Sequence, residues 1–359
     1  MKTYAIGSDR VSLAVTEIGG HLSDVTFTLD GGRRVSPMHT APWIDEDLPE
    51  DLPPVLAVLR GDFFCAPFGA SDMIPGDTRA HGATANGIWR EENRTATTVE
   101  AVLSEKVMGA TVTKHVELRP GQAVVFQRHT FAGGSGRLPF GHHAMLKAGK
   151  PLQLGFAPWI WAGTPPEPIE IPPAGRSILA YPQTIANPAE ARTADGGVID
   201  LTAYPGPGGF EDLWMLVAEP TRPFSWTAAT CAEEGWVWFG LKNPRVLPAT
   251  CVWMSNGGRD YEPWSGRHRG VIGLEEVCSY LHLGHAASIA DNLFTAKGIS
   301  TAATLDRATP LVVSYAFGLA PASPTFGAVA EVRARRDGIV LVDTAGSSIF
   351  TPVDLAFLD

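Results

Sequence analysis

Three short segments carry residues that exchange protons near neutral pH: His81-Gly82, Gly141-His142-His143 and Gly273-Leu274-Glu275. Imidazole titrates close to neutrality, and burial moves a carboxyl group up toward that range while a nearby cation moves it down. Two imidazoles and a carboxylate are therefore the parts of a general acid/base site, in which one group takes a proton and another returns one. Trp89, Trp236, Trp238, Trp253 and Trp264 add flat apolar surfaces on which a sugar ring could stack, although core filling is the commoner role of any one tryptophan. His142 and His143 are consecutive, so on extended backbone they point to opposite faces and only one of them enters a given pocket.

The elements that must position these residues read as strands, with the three segments placed at strand ends. Val11, Leu13 and Val15 alternate with smaller or polar residues, Gly19-Gly20 interrupts, and Val25, Phe27 and Leu29 resume the alternation, giving two strands with one buried face. Thr111–Leu118, Pro120-Gly121 and Ala123–Phe131 repeat the grammar as an antiparallel hairpin. Further strands are predicted over Trp214–Val217, Gly235–Leu241, Thr250–Ser255, Gly270–Leu274, Leu311–Phe317 and Val329–Arg333. One helix is predicted over Ala286–Ala296, where Ile289, Leu293 and Phe294 fall near helical spacing and Lys297-Gly298 supplies a stop. The expectation is an all-β chain with a few short helices, one domain over residues 1–359, and a loop-rich excursion around residues 158–209 that forms either a binding rim or a structural flap.

Composition narrows the function classes. Of the 359 residues 45% are hydrophobic, enough for a sizeable core, and 38 Gly and 29 Pro are spread along the chain as turns. A net charge of −10 and the lack of a concentrated basic surface argue against nucleic acid as a partner; Arg333, Arg335 and Arg336 form only a short group suited to a solvated strand end. Cys65, Cys231, Cys251 and Cys278 are too widely spaced for a CxxC redox or zinc motif and read as buried thiols. No apolar leader follows Met1 and no run of about twenty apolar residues occurs, so a soluble cytoplasmic protein without a membrane partner is expected. No HExxH helix and no GxSxG elbow is present, which disfavours metal-dependent and serine hydrolysis.

The order of the local patterns resembles the aldose 1-epimerase, or galactose mutarotase-like, superfamily over roughly residues 10 to 320. Leu59-Arg60-Gly61-Asp62-Phe63-Phe64-Cys65-Ala66-Pro67-Phe68-Gly69 is similar to its Arg-Gly...Cys...Pro-x-Phe-Gly segment, and His81-Gly82 with Trp89 to its His-Gly...Trp segment. Gly141-His142-His143-Ala144-Met145-Leu146 resembles the strand bearing a functional histidine, and Gly273-Leu274-Glu275 the strand bearing the catalytic carboxylate. Met145-Leu146 and Glu276 depart from the family pattern, which expects aromatic character at the first place and Pro or Thr at the second.

The resemblance implies a β-supersandwich whose concave surface binds a small-molecule carbohydrate, with Glu275 as general base and His143 as general acid. It further implies that His81 hydrogen-bonds a sugar oxygen and that Arg60 holds a hydroxyl or an anionic substituent, while Trp89 and Trp253 are candidate stacking surfaces. Exchanging sugar anomers needs removal of the anomeric hydroxyl proton and protonation of the ring oxygen, which a carboxylate and an imidazole on opposite sides of the sugar would accomplish without any cofactor. Two other functions use the same surface: a carbohydrate-binding or sensor protein without turnover, and a hexose-phosphate mutarotase in which Arg60 meets the phosphate. Structural roles compete as well, with Glu275 solvated on an edge strand or paired to Arg269, and Arg60 neutralising Asp62 or Asp72.

Overall fold

Strands that bury one face read as alternation, and strands that bury both read as unbroken apolar runs. Both kinds occur in the computed structural model, which describes residues 1–359. A nine-stranded antiparallel sheet runs, edge to edge, through Ala203–Tyr204, Leu152–Phe156, Ser225–Cys231, Trp236–Lys242, Leu311–Pro321, Val124–Gly133, Ala110–Leu118, Thr98–Leu103 and Trp89–Arg94. A seven-stranded sheet runs through Trp159–Gly163, Phe210–Ala218, Ala249–Asn256, Val271–Cys278, Phe140–His142 and Phe64–Cys65, with Ala144–Lys147 also paired to Val271–Cys278.

The main core lies between the two sheets, where Trp214, Leu216 and Leu274 from one meet Val125, Trp238 and Phe317 from the other. The outer face of the nine-stranded sheet is covered in turn: Val237, Phe239 and Phe126 pack under Val332, Ile339 and Leu341 of a three-stranded C-terminal sheet, Val329–Arg335, Gly338–Asp343 and Ser348–Pro352. Every residue of Trp236–Lys242 is consequently buried, which is why that segment shows no alternation. A third apolar cluster, including Trp43, Phe63, Met215, Trp253 and Trp264, lies on the side of the seven-stranded sheet that faces away from the main core.

The architecture is all-β with three short α-helices, Pro54–Ala57, Gly82–Asn86 and Gly284–Ile289. The helix expected over Ala286–Ala296 starts earlier and stops at Ile289. Asp72 accepts hydrogen bonds from the His285 and Ala286 amides at its start, and the Asn292 side chain then accepts from the Phe294 and Thr295 amides, diverting the chain into a separate 3-10 turn at Thr295–Lys297. The excursion is less irregular than its composition suggests: Trp159–Gly163 is an edge strand of the seven-stranded sheet, and the looser chain follows it. No helix is long and apolar enough to cross a membrane, and all four cysteines are free and buried.

Candidate active site

The segment expected to end at Leu274 continues to Cys278, so Glu275 stands inside a central strand rather than at an edge. Gly141 lies opposite Val277 and Ala144 opposite Leu274. This register places His143 across from Glu275 and His142 across from Glu276. Side chains alternate along each strand, so one cross-strand pair faces outward from the sandwich and the other faces into it.

The outward pair is in contact, with His143 Nε2 3.3 Å from Glu275 Oε1. His143 and Glu275, expected on opposite sides of a sugar, are direct neighbours across two adjacent strands. His143 is stacked on Phe63 with ring centroids 4.5 Å apart and meets His81 edge-on at 5.1 Å. Glu275 folds back over Gly273, where a Cβ would come within 2.5 Å of its Oε1. The glycine two residues before the carboxylate therefore has a steric reason.

Burial sets the protonation of this couple. It pushes the Glu275 carboxyl well above the usual carboxylate range, against the lowering influence of Cys251, and holds the His143 imidazole well below its ordinary value, with His81 adding to the effect. Burial thus disfavours the charged form of both groups, which weighs against a stable ion pair across the 3.3 Å contact.

His81 reaches the same place from a left-handed backbone conformation, φ 64°, at the start of helix Gly82–Asn86. Its amide donates to the Gly69 carbonyl at 2.9 Å, and its Nδ1 accepts from the Gly69 amide at 3.4 Å, which leaves the hydrogen on Nε2. Gly82 also has positive φ, and a Cβ there would lie 2.2 Å from the Ala66 carbonyl oxygen. The His-Gly pair is thus a tight backbone crossing that aims an imidazole; desolvation lowers its pKa to about 4.

These groups line a cavity of about 320 Å³ together with Phe63, Leu56, Ile169, Leu213, Trp253 and Trp264. Its remaining polar side chains are Arg259 and His282. The Arg259 guanidinium lies over the Trp264 ring at 4.3 Å and donates from Nε to Glu170 Oε1 at 2.7 Å, with Glu211 Oε1 at 3.7 Å. Glu211 accepts from Trp253 Nε1 at 2.7 Å and from Ser255 Oγ at 3.0 Å, and burial pushes its carboxyl up to about 7. Ile169 and Glu170 belong to the 158–209 excursion, so that segment helps build the cavity wall.

The sequence-predicted site residues divide accordingly. Glu275, His143, His81 and Trp253 line one cavity, while Arg60 and Trp89 do not. Trp89 is fully buried in the main core, its Nε1 donating to the Thr84 carbonyl at 2.9 Å. Arg60 donates from Nε to the Val58 carbonyl at 3.2 Å and pairs with neither Asp62 nor Asp72. Asp62 instead accepts from Gln127 at 2.5 Å and lies 2.9 Å from His142 Nδ1 inside the sandwich. Arg269 donates to the Gly266 carbonyl and leaves Glu275 alone. Trp253 is present at the wall, but its ring is stacked on His268 and carries Arg259 above it. Arg259 and His282 were missed because neither sits in a recognisable motif; each reaches the cavity from a loop beside a sheet strand.

The all-β double sheet matches the fold of solved structures described as candidate aldose 1-epimerases and as a galactose mutarotase related enzyme. The chain is similar to a candidate aldose 1-epimerase from Escherichia coli K12, with TM-score 0.60, 11% identity, and 89% of this chain and 99% of that one covered. It is similar also to a galactose mutarotase related enzyme from Lactobacillus acidophilus, with TM-score 0.55, 10% identity and coverages of 90% and 98%. A candidate aldose 1-epimerase from Klebsiella pneumoniae gives TM-score 0.54 at 14% identity, with coverages of 87% and 77%. No family model matches the chain, and no curated protein matches it in sequence.

Proposed function

We propose that the protein is an aldose 1-epimerase-like isomerase that interconverts sugar anomers, with Glu275 as base and His143 as acid. The observation that carries this reading is the 3.3 Å contact between Glu275 Oε1 and His143 Nε2 at the wall of a monosaccharide-sized cavity. The anomeric hydroxyl and the ring oxygen are bonded to the same carbon, so a base and an acid that are themselves neighbours can each reach one of them.

The directions of the two pKa shifts favour the exchangeable proton of the couple on Glu275. Transfer across the contact to His143 yields carboxylate and imidazolium, the forms the reaction needs. Glu275 then takes the proton of the anomeric hydroxyl; the electrons of that O–H bond form the C1=O1 bond, the C1–O5 bond breaks, and its electrons on O5 take the proton from His143. Rotation about C1–C2 and reversal of the steps close the ring on the other face. His81, with its hydrogen on Nε2, donates to a sugar oxygen. Such positioned proton transfer contributes about 10² to 10⁴ in rate.

Following anomer exchange by NMR from freshly dissolved single anomers tests the assignment. Wild type should accelerate exchange, Glu275→Gln and His143→Asn should each lose about a hundredfold or more, and the double variant should fall little further because the two act as one unit. Equal acceleration by all of them would reject the roles. Thermal stabilisation by sugar without acceleration would instead favour a carbohydrate-binding protein. The phosphate-sugar reading is weakened by the position of Arg60 outside the cavity.

A further inference from the structure

The cavity's polar inventory is unusually short for a site that would take a fully hydroxylated ligand. Among its eighteen lining residues the polar side chains are His81, His143, His282, Arg259 and Glu275, with no Ser, Thr, Asn, Gln, Lys or Asp. On the reading above, His81, His143 and Glu275 serve the anomeric carbon and the ring oxygen. Arg259 and His282 remain for the hydroxyls at C2, C3, C4 and C6 of a hexose. His282 Nδ1 is buried with no hydrogen-bond partner, and Arg259 donates to Glu170 from Nε alone, so both have capacity to spare. Even so, two side chains do not satisfy the hydroxyls of every ring carbon.

The other walls offer nothing polar in their side chains. Pro53, Val55, Leu56 and Leu59 line the cavity from the segment around helix Pro54–Ala57, and Ile169 reaches it from the excursion. A hydroxyl pressed against such a wall loses its water without gaining a partner, which is unfavourable; a methyl group there gains from burial instead.

Charge points the same way. Arg259 is the one cation at the lining, and it already faces Glu170 at 2.7 Å and Glu211 at 3.7 Å. A phosphate or carboxylate entering the cavity would therefore add a further anion to a guanidinium whose charge is engaged, with no second cation to receive it.

We propose that the cavity selects uncharged 6-deoxyhexoses over the corresponding hexoses, and excludes hexose 6-phosphates and uronates, because its walls supply an apolar seat for a C6 methyl group and no free cation for a charged C6 substituent. The proposal rests on the anomer-exchange reading for the division of polar groups, while the seat and the charge argument stand on the lining itself.

Sugars that differ only at C6 provide the test: 6-deoxy-D-galactose, D-galactose, D-galactose 6-phosphate and D-galacturonate, with the matching D-glucose series. For each, exchange kinetics give kcat/KM and saturation-transfer NMR gives relative binding. The 6-deoxy member of at least one series should exceed its hexose by about tenfold in kcat/KM and its charged counterparts by more. Leu56→Ser and Ile169→Asn should shift the ratio toward the hexose. A charged sugar as the best substrate, equal rates across a series, or no binding of either 6-deoxy sugar overturns the proposal. Preferential binding of a 6-deoxy sugar with no acceleration of any sugar upholds the selectivity and removes the isomerase reading, so the two failures are distinguishable.

Discussion

Glu275 and Glu276 are consecutive residues of one strand, and the sheet separates their chemistry. Glu275 faces the cavity and touches His143 at 3.3 Å. Glu276 faces the interior, where it is paired with Lys242 and accepts from Thr227 at 2.8 Å and Thr250 at 2.7 Å. The period of two in a strand thus turns an adjacent acidic pair into one group at the cavity wall and one sealed in the interior.

Neutralising each in turn should give opposite results. Glu276→Gln leaves the Lys242 ammonium buried without its charge partner and should destabilise the fold by about 3 kcal/mol, with catalysis per folded molecule little changed. Glu275→Gln removes a buried carboxyl whose charged form is disfavoured and should cost little stability while abolishing most exchange. Urea unfolding beside exchange kinetics checks both. Loss of stability in the second variant and loss of turnover alone in the first would reverse the assignment.

Gly273→Ala tests the positioning of the carboxylate without altering a chemical group. The new Cβ would lie 2.5 Å from Glu275 Oε1 and 3.2 Å from the Trp253 Cβ. The nearer atom is the end of a side chain that can turn away, so the fold should survive while the carboxyl is displaced. A shift on the scale of an ångström costs on the order of a hundredfold in turnover. We expect kcat to fall by about that amount with a melting temperature within a few degrees of wild type; unchanged kcat would show that Glu275 does not need the space.

Those two residues also mark how far the sequence could be read. Strand alternation and Gly/Pro turns were legible because a half-buried strand writes its geometry into its residue pattern, as at Ala110–Leu118. The segment containing Glu275 was cut short because a strand buried on both faces shows no period, and two consecutive acids look like a solvated end. The cross-strand registers that bring together Phe63, His143, Glu275 and Cys251 depend on pairings between residues far apart in the chain, which no local pattern encodes. The same holds for Arg259, a loop residue whose place above Trp264 is a product of the fold.

Trp89 separates a family pattern from a local role. It is fully buried, donates to Thr84 and lies in the core between the sheets, where His129 meets it edge-on at 6.2 Å. Trp89→Phe should therefore lower stability by about 1–3 kcal/mol through lost volume and an orphaned carbonyl, and leave sugar affinity unchanged. Calorimetric melting and ligand titration on the same variant decide it: a large loss of affinity at unchanged stability would return Trp89 to the binding surface.

The buried imidazoles make stability depend on pH with a definite sign. Desolvation lowers His21 to about 3 and His39, His81 and His282 to about 4, from an ordinary value of 6.5. Between about pH 6.5 and pH 4 the unfolded chain binds protons at these sites and the folded chain does not, so stability is complete above that window and declines as pH falls through it. Glu211 acts in the opposite sense: its carboxyl, pushed up to about 7, keeps a proton in the folded chain where the unfolded chain has released one, and its contribution is lost as pH rises from about 4.5 to 7. Each of these four imidazoles costs about 2 kcal/mol at pH 5, and together with His143, also held low, they outweigh Glu211 and Glu275, the carboxyls that burial pushes up. Denaturation midpoints should therefore fall from pH 7.5 to pH 5, and His282→Gln should flatten that decline by the share of one site. A midpoint that rises toward pH 5, or a decline as steep in the variant as in wild type, would mean that these imidazoles take up protons within the folded chain.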